Sequence, residues 1–254
     1  MRYLFLSIVL FSFKACYQEF GEGYSFKLFK KTVNEKLIKP IESEDSVEIN
    51  RLLKSDSSLK INLQEPKFGN TILALAVGND KLVSTIALLE NSADLNICDS
   101  FGFAPLHSAS DNVNSRENSF QLIEALLKFG ANPNKFSCQY QNKKIKKYFP
   151  LMGAIRNFKC SKLLIDNGAN CNLQDSINYP IWQSILSQDD KVSESIFVAE
   201  YLIINKKVVI PEIIGYSIPD KNPILFIDVL KKYKTIDDSK KEEAKNRIIK
   251  YLKM

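Results

Sequence analysis

Apolar residues recur along this chain in two linked frames. The first is a short turn followed by an apolar helix start. It stands at Gly69-Asn70-Thr71-Ile72-Leu73-Ala74-Leu75-Ala76, and 33 residues on at Gly102-Phe103-Ala104-Pro105-Leu106-His107-Ser108-Ala109. Phe149-Pro150-Leu151-Met152-Gly153-Ala154 and Tyr179-Pro180-Ile181-Trp182-Gln183-Ser184 keep the same order. Proline suits the first helical position because its missing N–H has no helical partner there. The second frame is an apolar pair, then Gly or a substitute, then Asn or Asp. Leu126-Leu127-Lys128-Phe129-Gly130-Ala131-Asn132-Pro133-Asn134 is the clearest copy. The stretch from Leu163 through Gly168 to Asn172 matches it, as does Leu88 to Asn96 with Ser92 in the Gly slot; Leu52 to Asn62 is a degenerate first copy. Gly ends a helix because it enters the left-handed region without a Cβ penalty. The Asn or Asp after it favours a turn. The two frames predict a helix-turn-helix unit repeated over residues 41–210.

Together these residues resemble the ankyrin repeat, with its period of about 33 and its Thr-Pro-Leu-His-x-Ala signature. The resemblance implies an all-α solenoid of about five helix-turn-helix repeats. The array is irregular: Pro105 to Pro150 is 45 residues and Pro150 to Pro180 is 30. The extra residues fall at Asp111–Ser119 and Lys135–Tyr148, and such insertions map to loops on one face, often the binding face. The resemblance further implies a monomeric, non-catalytic module without a cofactor. It would hold an unidentified protein partner on the concave face of the first helices and on the turn tips. His107 stands in the signature His slot, which the family uses for hydrogen bonds between repeats. The matching slots hold Ala74, Met152 and Trp182, so a general base is not expected at His107.

The flanks differ from the repeats. After residue 210 the frame fades, and 211–254 reads as a helical C-terminal cap. Pro211–Ile214 could open a short helix there, Asn222–Tyr233 a second, and Asp237-Asp238-Ser239 a last helix through Lys253. Such a cap closes the hydrophobic stack with a polar outer surface. Residues 17–40 read as a basic linker that begins the N-terminal cap. Residues 1–16 have Arg2, an apolar run from Tyr3 to Phe13, and then Lys14-Ala15-Cys16. That is the layout of an export signal. The run is too short for a membrane span, which takes roughly 20 residues. Phe13-Lys14-Ala15-Cys16 resembles a bacterial lipoprotein box, which implies lipidation at Cys16, although Lys14 departs from its usual small residue. The expected place is the cell envelope, periplasmic or anchored by that lipid. A buried N-terminal helix in a cytoplasmic chain is the alternative.

Charge and chemistry change this picture little. The net charge is +6, but Lys is spread along the chain rather than clustered as in phosphate binders. The exception is the second insert, where Tyr140, Lys143, Lys144, Lys146, Lys147 and Tyr148 crowd together. This cluster reads as a partner contact or as a solvated loop tip. It also carries the alternative function, electrostatic binding of nucleic acid or an anionic membrane through residues 135–148. Phe101, Phe103 and Tyr179 fall at turn tips and are candidates for partner contact. Trp182, the one tryptophan, is either core or an anchor in the groove. With a single His and no C-x-x-C pair, a metal site or a Cys/His nucleophile is not expected. Cys98, Cys138, Cys160 and Cys171 read as isolated thiols or as disulfide partners.

Overall fold

The computed structural model of the protein describes residues 23–138, 148–174, 179–187, 194–216, 223–232 and 238–252. The chain divides into two compact units, residues 1–105 and 106–254, each built from short helix pairs. Among the described residues the fold is all-α and of the repeat-solenoid class, apart from one two-stranded hairpin.

In the first unit α1 (Glu35–Glu42) pairs with α2 (Ser46–Ser55), and α3 (Ile72–Gly78) pairs with α4 (Leu82–Glu90). The second helices, α2 and α4, pack on each other. Asp45 caps α2 by accepting the Glu48 amide at 2.9 Å, and Thr71 caps α3 through the Ala74 amide at 3.1 Å, satisfying N–H groups that have no helical partner. Ile49, Leu52, Leu73, Leu75 and Leu88 fill the core between the pairs.

Helix α3 reads ILALAVG, and all seven of its residues are buried. A helix that is apolar all round must be covered all round. One side is covered by α4 and another by the chain's own segment 23–29. The Asn70 and Asn79 side-chain amides donate to the carbonyls of Gly23 (3.1 Å) and Tyr24 (2.8 Å). The Tyr24 ring passes so close to Gly78 that a Cβ there would collide with it. Phe26 and Phe29, in the 3-10 turn that follows, are buried, as is Leu37 of α1. In its described part the expected linker of residues 17–40 is therefore a packed strap and the start of the first helix.

In the second unit α5 (Pro105–Asp111) precedes α6 (Ser119–Lys128), α7 (Pro150–Ala154) precedes α8 (Phe158–Asp166), and α9 (Pro180–Ser187) precedes α10 (Ser195–Glu200). The last of these runs on into a π turn, Tyr201–Asn205. Pro opens α5, α7 and α9, as the first frame predicts. Helices α6, α8 and α10 stack in turn, and α7 stacks on α9. The Gly slots behave as expected: Gly130 and Gly168 have φ of 94° and 89°. Their neighbours close the helices, with the Ala131 amide donating to Leu126 and the Ala169 amide to Leu164, both at 2.9 Å. Lys207 holds the same place after α10, with φ 52°.

The C-terminal segment departs from the expected cap. Ile213–Tyr216 is not a helix but strand β1, antiparallel to β2 (Pro223–Leu225), with a bulge between Ile213 and Gly215. Helix α11 (Phe226–Lys232) then starts later than expected, and α12 (Ser239–Leu252) follows. Helix α11 packs on α9, while α12 packs on α10 and its π turn. First helix lies on first helix, and second on second. The cap is thus a sixth, degenerate pair with the β1–β2 hairpin as its turn. Ala244 and Ile248 bury the inner side of α12, and Glu243, Asn246, Arg247 and Lys250 are exposed.

Candidate binding surface

The turns that join the repeats are rigid, and side chains make them so. At the tip before α3, the Glu65 carboxylate accepts the amides of Lys67 (2.8 Å), Phe68 (2.8 Å) and Asn70 (3.1 Å). One repeat on, Asp99 accepts the amides of Phe101 and Phe103, both at 2.9 Å. Burial pushes the Asp99 carboxyl above its ordinary pKa, and the amides of Phe103, Phe101 and Gly102 pull the other way. The two tips are joined by the Ser100 amide donating to Phe68 at 2.7 Å. Gly69, at φ 70°, lets Ser100 pass: a Cβ there would stand 2.9 Å from its Oγ.

A second ladder runs through Asn62, Asn134 and Asn172, which close three of the Gly frames. Asn62 Oδ1 accepts the Asp94 amide at 2.8 Å. Asn134 Nδ2 donates to the Gly168 carbonyl at 2.8 Å, and its Oδ1 accepts the Asn170 amide at 2.7 Å. Asn172 Nδ2 donates to Val209 at 3.0 Å. Each such Asn ties one turn to the next. In three frames the residue two places before the closing Asn forms a local turn of its own: Asp94, Asn132 and Asn170 each accept the amide two residues ahead at 2.8 Å.

His107 is fully buried, and its Nε2 meets the Lys135 carbonyl at 3.0 Å. The bond joins α5 to the turn after α6, the structural role that the signature slot implies. The Tyr148 ring lies 6.3 Å from the imidazole, and its hydroxyl donates to Asp111. Burial, and then the Asp111 charge, push the Tyr148 hydroxyl far above its ordinary pKa. Gly153 makes room for this contact, since a Cβ there would collide with Asp111 Oδ1. Burial also raises the Cys160 and Cys171 thiols to about 11, so both stay protonated at neutral pH. Cys98 and Cys138 are disulfide-bonded, whereas Cys160 and Cys171 are free. Among the described residues no group of three or more His, Cys, Asp or Glu could hold a metal ion.

The expected contact residues fare unequally. Phe101 and Phe103 are half-buried at one tip, and Phe101 stacks on Phe68 with centroids 6.1 Å apart. Tyr179 is half-buried, and its amide donates to Ile214 of β1 at 3.0 Å. Tyr148 is half-buried, its ring and hydroxyl engaged as described. Trp182 is a correction to the anchor reading. It is fully buried, its indole N–H donates to Asn172 at 2.7 Å, and its ring meets Phe226 edge-on at 5.4 Å. The cap covers it. Tyr140, Lys143, Lys144, Lys146 and Lys147 lie outside the described residues, as does Cys16. The base of their insert is closed by the Ser137 amide donating to the Tyr148 carbonyl at 2.7 Å. Tyr24, Asn70 and Asp99, which meet near Phe101 and Phe103, are the residues that sequence reasoning missed. They come from three separate turns, and only Asp99, at a fixed offset before Gly102, carries a local signal.

Short helix pairs tied to their neighbours through side-chain ladders define an all-α repeat protein. Residues 41–137 match the family model for ankyrin repeats, in three copies. Ankyrin repeats are in general protein–protein interaction modules and are typically non-catalytic. No curated protein matches the chain.

Proposed function

We propose that the chain is a non-catalytic module that holds a protein partner on the inner faces of its first helices and on its turn tips. The observation that carries this reading is the tip at Phe101 and Phe103: two partly exposed aromatics on a turn held rigid by Asp99. Rigid aromatics make good anchors because they bring large apolar area at small entropic cost. The groups that catalysis would want are otherwise occupied. His107 is spent on a backbone carbonyl, and the two free thiols are protonated. Tyr179 and the lysines of the second insert extend the contact in this proposal.

We further propose that residues 1–16 direct export from a bacterial cell and that Cys16 carries a lipid. The disulfide-bonded state of Cys98 and Cys138 supports an oxidising compartment. Labelled palmitate should enter the wild-type chain and not Cys16→Ser.

Affinity capture with the full chain, followed by titration of the captured protein, tests the binding reading. Changing Phe101 and Phe103 together to Ala should weaken the complex at least ten-fold while the chain stays folded at the temperature of the titration, as its helical circular dichroism checks. An unchanged affinity removes the tip from the interface. A complex that dissolves steeply with salt, and only when Lys143, Lys144, Lys146 and Lys147 are intact, points instead to the electrostatic binder.

A further inference from the structure

Between the Gly23-Tyr24 segment and the tip at Asp99–Phe103 the first unit leaves a small recess. Its lining is Gly23, Tyr24, Asn70, Asp99, Phe101 and Phe103. Three of these residues are aromatic, and Asn70 and Asp99 bring an amide and a carboxylate oxygen. Asn70 spends its Nδ2 on the Gly23 carbonyl at 3.1 Å, which leaves its Oδ1 as an acceptor. Asp99 takes the amides of both Phe101 and Phe103 on Oδ1, so neither of these two bonds uses its second oxygen. Among the described residues no cationic side chain acts on the Asp99 carboxyl. The free volume is about 20 Å³. One water needs ~10–15 Å³ on this measure, so the recess takes one small group.

We propose that this recess receives the side-chain ammonium of a lysine on the protein partner, with Tyr24, Phe101 and Phe103 as its walls and the oxygens of Asp99 and Asn70 as its acceptors. The inference rests on the binding reading above and names the chemistry of the partner. An ammonium is the size of a water, carries three N–H donors, and is attracted to ring faces. A guanidinium is too large for the space, an anion would meet the Asp99 charge, and a methyl group would leave that charge uncompensated. The burial that raises the Asp99 pKa is a penalty that an opposite charge beside it offsets.

The test uses the full chain, labelled with nitrogen-15, titrated with Nα-acetyl-lysine N-methylamide. The amide signals of Phe101, Gly102 and Phe103 should shift with this compound, with a Kd in the range of ~1–10 mM expected for one side chain. The Nε-acetylated compound and the norleucine analogue should move them at least ten-fold less. Asp99→Asn keeps an oxygen for the two tip amides, and should weaken lysine binding at least ten-fold while leaving the melting curve in place. Absence of shifts with the lysine compound, or equal shifts with norleucine, overturns the proposal without recourse to a variant. If these fail while the captured partner still binds, the recess is wrong and the binding reading stands. If the wild-type chain captures no partner at all, it is the binding reading that fails.

Discussion

Ser92 shows how a single position can depart from its frame and still obey the same geometry. It ends α4 at φ 64°, where Gly130 and Gly168 end α6 and α8. The Ala93 amide donates to Leu88 at 3.0 Å, the same closing bond that the Gly copies make. A side chain in the left-handed region costs roughly 1–2 kcal/mol, while Gly loses about 0.5–1 kcal/mol more backbone entropy on folding. Ser92→Gly should therefore stabilise the chain by about 0.5–1 kcal/mol, read from the denaturation midpoint. A destabilised variant would mean that Ser92 makes a contact worth more than its strain. Such positions were legible because the left-handed demand selects Gly, and Gly130 and Gly168 show the rule that Ser92 then breaks. Lys207, at φ 52°, was not legible, because a Lys flanked by Asn205, Lys206 and Val208 carries no mark of that geometry. Trp182 was legible in kind but not in place. Its slot predicts a helix start, yet only the fold of the cap reveals that Phe226 lies against it. Trp182→Ala should cost about 3–5 kcal/mol through lost burial and the cavity left behind. In the wild type its emission should be blue-shifted and not quenched by iodide; red-shifted, quenchable emission would contradict the burial.

Among the elements, α3 sets the sharpest constraint. Its all-apolar face predicts burial, but sequence alone does not say what covers it. Gly23 and Tyr24 lie 47 and 55 residues upstream of Asn70 and Asn79, whose side chains tie them to the two ends of α3, and no short-range pattern announces such a pairing. The seat for the Tyr24 ring is Gly78, the last residue of α3. In an isolated helix, Gly→Ala gains roughly 1 kcal/mol of propensity. Here the added methyl meets Tyr24, and overpacking of that kind typically costs ~1–3 kcal/mol. Gly78→Ala should thus destabilise the chain and speed proteolysis within residues 23–29. In a Tyr24→Ala background the same change should be neutral or stabilising. The double-mutant cycle reads the coupling directly, and additive effects would show that the strap does not rest on Gly78. The β1–β2 hairpin was missed for a different reason. Ile213 and Ile214 belong to a short apolar run, which periodicity cannot assign to strand or helix. Pairing decided it, through Tyr179 on one side and the β2 register on the other.

Across the whole molecule the frames predict an array whose stability is a sum of pairs and of the interfaces between neighbours. The terminal pair then matters beyond its size, because it covers the last apolar face. Two kinds of contact hold α12 to the pair before it. One is apolar: Ala244 and Ile248 are fully buried. The other is an ion pair, in which the Arg247 guanidinium grips the Glu200 carboxylate. Arg247 is half exposed, so solvent screens the pair and ordering its long side chain offsets the gain. Burial has no such offset. Ile248→Ala should lower stability by about 2–4 kcal/mol and shift the Trp182 unfolding transition to lower denaturant. Arg247→Ala should leave that transition almost where it was. If Arg247→Ala shifted it as far as Ile248→Ala, the cap would be held by charge, and raising the salt concentration would then release it in the wild type as well.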